Sequence, residues 1–306
     1  MKTKPQRLDV VLLNSDELIM YTGLICALFD ILLGWLHPAI HMHRDLASPV
    51  SLPVPPTGRF LSDSQKLLLV LMQLRQNLTQ EDLAFRFDVE QSTVSRVINQ
   101  WIPLLAHHLR GLIKWPKTTI GPTDTPYNHM PNTVGVIDGT EIFILRPSNL
   151  ATQKSSYSDY KSHTTVKYLV AIDPFTGVFT FVSPGFSGNS SDRFVVESSS
   201  FLDLLQPGQR ILADRGFTAR DLIARKRAFL TIPSFLRGTS QLTGQQAMET
   251  RIIASVRIRV ENAIKRMKDF RLLSDTQPNR INKQILDDMV IVACALCNLQ
   301  PPLIVL

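Results

Sequence analysis

Two apolar runs in this sequence each end on an aspartate with a glycine close behind, Val136-Ile137-Asp138-Gly139 and Leu212-Ala213-Asp214-Arg215-Gly216. Each carboxylate follows an aliphatic stretch, so each is expected where a buried strand reaches the surface. A turn residue is the ordinary occupant of such a place, and Asp173, closing TVKYLVAID before Pro174, is the internal example. A third carboxylate, Glu261, sits in SVRIRVENAIKRMK with Arg257 and Lys265 four residues to either side. That is the spacing of a helix ion-pair ladder worth about 0.2–0.5 kcal/mol per pair. Taken singly, all three read as structural. Taken together they describe chemistry, provided the strands carrying Asp138 and Asp214 share one sheet and a helix delivers Glu261. Three like charges in one cleft repel, so the arrangement is stable only around a cation. All-oxygen ligands select Mg²⁺ or Mn²⁺, and two such ions about 3.5–4 Å apart activate a water and stabilise the leaving 3′ oxygen of a phosphodiester.

The elements that would position these groups follow from patterning. Residues 1–47 read as short apolar helices, and 48–61, with four prolines in SPVSLPVPPTG, as an extended linker. Residues 62–115 are helical. Gln65–Arg75 is apolar nearly all round, and Thr79 with Asp82 three residues on suggests a capping box opening a helix that ends at Phe87. A third helix begins at Gln91 with Val94, Val97, Ile98 and Trp101 on one face, and Pro103 is expected to break or kink it. From 130 to 306 the texture is mixed: strands over 133–145, 165–173 and 177–186, the last two joined by a turn at Asp173–Gly177. A helical stretch over 192–205 follows, then a strand over 210–217, a helix over 219–228, a short strand Phe229–Ile232, and helices over 251–269 and 281–298. The order of a three-strand meander, helix, strand, helix, strand and helices fits a mixed α/β sheet with helices on its faces.

Composition bounds the alternatives. At 306 residues, 44% hydrophobic and 19% charged, with 14 Gly and 19 Pro, the chain is neither disordered, collagen-like nor a coiled-coil rod. A net charge of +7 gives a mild preference for polyanions. Three cysteines make no disulfide framework, and Cys294-x-x-Cys297 without a second ligand pair reads as buried thiols rather than a zinc site. Leu18–Leu36 is long and apolar enough to suggest a membrane span, but Asp30 within it would cost about 2.5–3.5 kcal/mol in a bilayer, which favours a pair of buried helices and no membrane.

Several blocks, in order, carry a resemblance: IDGTEIFILRPSNL, SYSDYKSHTTVKYLVAI, GNSSDRFV, FLDLLQPGQRILADRGF and RIRVENAIKRMKDFRLL. They resemble the catalytic core of the Harbinger-type DDE transposases and the nucleases derived from them. LNSDELIMYTGL and LLLVLMQLRQNLTQEDLAFRFDVEQSTVSRVINQWI resemble the helical region that precedes that core. The resemblance implies an RNase H-like mixed sheet flanked by helices, preceded by an all-helical region with a helix-turn-helix. It assigns the metal-binding, catalytic triad to Asp138, Asp214 and Glu261. Asp192 matches a further acidic position and is either an added ligand or the N-cap of the next helix. Lys265 stands where relatives carry a small residue, placed to pair with Glu261 or to reach a phosphate. A separate Myb-like partner, a nuclear location with a cytoplasmic pool and a homo-oligomer belong to the same expectation. The implied activity is metal-dependent cleavage of DNA; the rival is a catalytically silent DNA-binding or scaffolding protein.

The expected DNA-binding face has two parts. The helix starting at Gln91 would expose Gln91, Ser92, Thr93, Ser95, Arg96, Asn99 and Gln100, short hydroxyls and amides suited to a major groove, with Arg96 able to read guanine; dimerisation is the other use of such helices. Residues 251–271 hold seven Lys/Arg against Glu261 and Asp269. There Arg257, Lys265, Arg266 and Lys268, with Lys161, would hold the scissile backbone. Lys154 and Lys167 extend that channel, and Tyr157 and Tyr160 offer rings to displaced bases.

Overall fold

A computed structural model describes residues 7–46, 60–117, 131–214, 216–232, 257–276 and 282–303, the side chains of 39–46 excepted. Most of the Pro-rich stretch expected as a linker, and Arg251 of the basic run, lie outside the described residues. The chain divides into two compact units: Met1–Arg110 with Asp269–Asp275 and Gln284–Ala293, and Gly111–Lys268 with Thr276–Lys283 and Cys294–Leu306.

The first unit is helical. Helix α1 (Ser15–Thr22) opens with a capping box between Asn14 and Glu17 and closes on Gly23 at φ 77°, where only glycine is unstrained. Helix α2 (Cys26–Leu46) follows, and Leu18, Leu24, Phe29, Leu32 and Leu36 turn one stripe of this apolar region into the core. No single described helix is long and apolar enough to cross a membrane; α1 and residues 26–38 reach that length only as a pair bent by 59°. Helix α3 (Asp63–Gln76) is capped by the Ser62–Gln65 box, and its run Leu67–Met72 is wholly buried, which is why it is apolar on every face.

Helices α4 (Gln80–Phe87) and α5 (Gln91–Leu109) make the helix-turn-helix. The Thr79 side chain accepts the Asp82 N–H, half of the expected box. The turn depends on Asp88, held at φ 48° in the left-handed region. Leu83, Ala84 and Phe87 of α4 and Val94, Val97, Ile98 and Trp101 of α5 are buried. Pro103 does not break α5: the stripe continues through Ile102, Leu105, Ala106 and Leu109, and burying it outweighs the one backbone hydrogen bond proline removes.

The second unit holds a mixed sheet. Strand β1 (Thr133–Phe143) pairs antiparallel with β3 (His163–Ile172) and parallel with β6 (Arg210–Ala213), which pairs parallel with β7 (Phe229–Thr231). The far edge of β3 is shared by three short strands, β2 (Tyr157–Ser158), β5 (Phe186–Ser187) and β4 (Phe179–Val182). The meander's third strand, expected unbroken over 177–186, is split into β4 and β5 because Pro184 offers no N–H to the ladder. Ser183 fills the gap by bonding both polar groups of Leu169, donating its N–H at 2.9 Å and accepting at its hydroxyl at 2.9 Å.

Helices α7 (Asp192–Ser198) and α8 (Arg220–Arg225) cover one face, packing Val195, Val196, Leu222 and Ile223 on Ile137, Leu169, Ala171, Ile211 and Ala213. The helix expected to run to 205 ends early, with Ser200 at φ 61°. Helix α6 (Leu150–Ser156) and β2 were not legible in the patterning. Helix α9 spans 257–268, short α10 (Arg271–Ser274) packs on α3 in the first unit, and α11 (Lys283–Leu299) closes the chain. Asn298 near the end of α11 behaves as a strand partner for β4: its carbonyl oxygen accepts the Phe179 N–H at 2.7 Å and its amide donates to the Phe179 carbonyl at 2.8 Å.

Gly188, between β5 and α7, is fixed by close approach. A Cβ there would collide with the Thr165 hydroxyl and stand 2.5 Å from the Ser156 carbonyl oxygen. The segment that carries Asp192 therefore lies directly on β3. Gly188→Ala is expected to destabilise the protein by about 1–3 kcal/mol, the usual cost of overpacking, read as a lowered midpoint in urea denaturation.

Candidate active site

The parallel ladder of β1 and β6 sets Ile137 opposite Ala213; Asp214 follows the last residue of β6 as expected, whereas Asp138 does not end its strand, because β1 stays paired with β3 as far as Phe143. Side chains alternate along a strand, and Ile137 points into the core under α7 and α8; Asp138 therefore points to the opposite face. Its carboxylate accepts the N–H of Gly139 at 2.7 Å. Glu261, on α9, supplies the third group. The helix is tied down beside the sheet by Lys268, whose ammonium donates to the Glu141 carbonyl at 3.0 Å, and by Arg259, whose guanidinium donates to the Pro174 carbonyl.

Electrostatics supports convergence. Burial pushes the Asp138 carboxyl up to about 6; the Gly139 N–H opposes this, and the charges of Asp214, Glu261 and Asp192 add to it. The three carboxylates do not, however, form the tight cluster expected from the sequence. Among the described residues no group of three His, Cys, Asp or Glu side chains is drawn together closely enough to hold a metal ion. A cation lies between two of the carboxylates: Arg257 places Nη1 3.6 Å from Asp214 Oδ1 and Nε 2.9 Å from Glu261 Oε1. The Arg257–Glu261 ladder is thus present, whereas Lys265 forms no ion pair with Glu261 and stays exposed. The donor set remains the chemistry a hard divalent cation takes, oxygen only and carrying excess negative charge.

Asp192 is not the N-cap, and its carboxylate is paired with a cation. Ser191 caps α7, and Asp192 bonds Lys167 at 2.7 Å, with the same ammonium donating to the Ser190 carbonyl at 3.2 Å. Lys167, half-buried in that pair, is accordingly not a cation lining a channel. Of the other basic groups, Arg266 donates to the Pro301 carbonyl at 2.7 Å, and Lys268 is held by Glu141 with its pKa lowered by burial and then by Lys161. Lys161 is exposed, 4.6 Å from the ring centre of Tyr160. Lys154 and Tyr157 line an open cavity of about 750 Å³ with Arg146 and His163. Of the lysines expected to line the channel, Lys161, Lys154 and Lys265 keep the exposed aspect a phosphate contact needs. Patterning missed Glu141, buried on β1 with its carboxylate accepting the Thr165 hydroxyl at 2.7 Å.

On α5, Gln91, Ser92, Arg96, Asn99 and Gln100 are exposed, and Thr93 and Ser95 are half-buried. Asn99 folds back to donate to the Ser95 carbonyl at 2.9 Å. Cys294 and Cys297 are buried thiols, in line with the expectation for that pair.

Known proteins place this chain in a family. Residues 137–298, more than half of the chain, match the DDE superfamily endonuclease family, and residues 59–111 match the helix-turn-helix of DDE superfamily endonucleases. The chain belongs to the DDE superfamily endonucleases. It is 27% identical over 211 residues to a Streptomyces albus G protein assigned as the transposase of insertion sequence element IS112, covering 69% of this chain and 70% of that one. A solved synaptic complex of the piggyBac transposase with hairpin DNA overlaps 92% of this chain and 73% of its own, distantly, with a TM-score of 0.39 and 11% identity.

The raised Asp138 carboxyl has a stability consequence. Its protonated form is favoured by the fold, so its contribution is complete below the unfolded value near 4 and is lost as pH rises through about 6. In chelator, Asp138→Asn is expected to be more stable than wild type by an amount that grows from pH 4 and levels off above pH 7. The plateau is on the order of 3 kcal/mol, since each tenfold change in proton affinity is worth about 1.36 kcal/mol. Urea denaturation of both proteins across that range checks it; parallel curves would show that Asp138 carries no burdened charge.

Proposed function

We propose that the protein is a divalent-cation-dependent DNA endonuclease with an RNase H-like core, of the Harbinger type, in which Asp138, Asp214 and Glu261 hold Mg²⁺ or Mn²⁺. The observation that carries this reading is the electrostatic burden on Asp138, a carboxylate midway along the central strand β1, beside Asp214 just past the end of β6 and under the charge of Glu261. When bound, two divalent cations would activate a water and stabilise the 3′ oxygen leaving the phosphodiester. The chain's own residues prepare that event. The register of β1 against β6 sets Asp138 beside Asp214, and α9 carries Glu261. Lys167 neutralises Asp192, so that the added negative charge does not repel the DNA backbone. Lys161, Lys154 and Lys265 offer phosphate contacts, and Tyr157 and Tyr160 offer rings for stacking.

In this reading α5 enters the major groove with Gln91, Ser92, Thr93, Ser95 and Arg96 toward the DNA. The resemblance of the motif blocks, and nothing else, supports a Myb-like partner, self-association and a nuclear place of action with a cytoplasmic pool. Strand transfer by the freed 3′ hydroxyl is the step that separates a transposase from a domesticated nuclease.

One observation favours the rival of a silent DNA-binding protein: Arg257 stands between two of the three carboxylates. A nicking assay on supercoiled plasmid with Mn²⁺ separates the readings. Wild type is expected to nick and Asp214→Asn to lose at least a hundredfold in rate; equal activity of the two proteins would remove this site as its source. For the helix-turn-helix, Arg96→Ala is expected to weaken binding to a selected DNA site by about 1–3 kcal/mol, measured by fluorescence anisotropy at fixed salt. Unchanged affinity on every sequence would assign α5 to a protein contact.

A further inference from the structure

The guanidinium of Arg257 spans two carboxylates that are far apart in the chain. Nη1 lies 3.6 Å from Asp214 Oδ1, and Nε lies 2.9 Å from Glu261 Oε1. Glu261 is Arg257's helical neighbour, one turn away, and a bond between them is ordinary. Asp214 is not a neighbour in sequence or in secondary structure. It follows β6, and the arginine reaches it because this part of α9 passes beside that strand's end. The positive charge therefore sits between two of the groups that the proposed function assigns to divalent cations. Lys265, one turn further along α9, does not take this place.

The bridge is weakly held. Side-chain exposure is 56% for Arg257, 42% for Asp214 and 53% for Glu261, and ion pairs that open to water contribute little to stability. A structural bridge meant to fasten α9 to the sheet would be buried, as the Lys268 bond to the Glu141 carbonyl is. A bridge this exposed can be exchanged for another cation at small cost. Without it, Asp214 and Glu261 lose the cation they share, and the repulsion between their charges beside Asp138 is one that a divalent ion relieves.

We propose that Arg257 is a resident counter-ion that holds Asp214 and Glu261 in the cation-free protein and must release them before a divalent cation binds. This rests on the reading that these carboxylates are the cation site. Arg257 is thus a positioning residue, and its removal should improve binding of the metal while leaving the fold in place. Lysine at 257 is a point charge on a flexible stem and cannot fork between two carboxylates, so it should compete less well than arginine.

The test is calorimetric titration of Mn²⁺ into the full chain at pH 7.5, without DNA, for wild type, Arg257→Ala, Arg257→Lys and Asp214→Asn, with thermal melts as a check on folding. Arg257→Ala is expected to bind Mn²⁺ about three- to tenfold more tightly than wild type, tenfold corresponding to about 1.4 kcal/mol. Arg257→Lys should fall between them, and Asp214→Asn should lose the binding. Equal or weaker Mn²⁺ affinity in Arg257→Ala, with Asp214→Asn still defective, would overturn the counter-ion role and leave the cation site standing. Binding untouched by Asp214→Asn, or none in any variant, would overturn the cation site and the counter-ion role together.

Discussion

The parallel pairing of β1 with β6 is the constraint on which the site depends. With Ile137 opposite Ala213, the two aspartates fall at the same level of neighbouring strands. Side chains alternate with a period of two, so a slip of one residue would send one carboxylate into the core under α7 and α8 and leave the other behind. What forbids the slip is apolar. Ile137, Ile211 and Ala213 are buried in one cluster with Val195, Val196, Leu222 and Ile223, and shifting either strand would exchange those contacts for a charge. The position of the candidate acids is in this sense a by-product of packing.

Bringing acids together creates a conflict that the protein meets in three ways. Asp138 is mostly buried, which favours its neutral form and raises its pKa toward 6. Asp192 is neutralised by Lys167 at 2.7 Å, a pair shielded enough to persist, with the ammonium also bonded to the Ser190 carbonyl. Asp214 and Glu261 share Arg257 in the open. The three solutions differ in how easily they are undone. A proton leaves Asp138 near neutral pH and the Arg257 bridge opens to water, whereas the Lys167 pair has no such exit. The groups assigned to the cation are the ones whose compensation is reversible, and Asp192 is the one whose compensation is built in.

Much of this was legible in the order of residues. The apolar run before Asp214 marked the end of β6, while β1 runs on through Asp138 to Phe143, and the blocks from Ile137 to Leu273 pointed to the DDE superfamily. The buried stripe Val94, Val97, Ile98, Trp101 gave the second helix of the helix-turn-helix. Local chemistry misled where tertiary burial outweighed it: α5 passes through Pro103 because its apolar stripe continues, and Ser183 mends the ladder that Pro184 interrupts. Single-residue roles were least legible. That Ser191 rather than Asp192 caps α7, or that Lys268 donates to the Glu141 carbonyl, depends on rotamers and on residues distant in the chain. The Arg257–Glu261 spacing was readable; the reach of the same guanidinium to Asp214 was not, since it requires knowing how Arg257 is placed against the end of β6.

The asymmetry of exposure also bears on how a substrate would approach. Asp138 is anchored on a rigid central strand, bonded to the Gly139 N–H and largely screened from water, so its oxygens are the fixed points of the site. Asp214 lies one residue past its strand and Glu261 on an exposed helix face, both about half open to solvent. In the proposed function a polyanion would approach from the side of Asp214 and Glu261, where Lys265 is also exposed, since the other face of β1 is filled by the α7–α8 core. On that side Glu261 is paired with an arginine, and a phosphate diester would compete with the carboxylates for the same guanidinium. In the proposed function, Asp214 and Glu261 would hold the cations and the Arg257 guanidinium, released from them, would be left to pair with the phosphate.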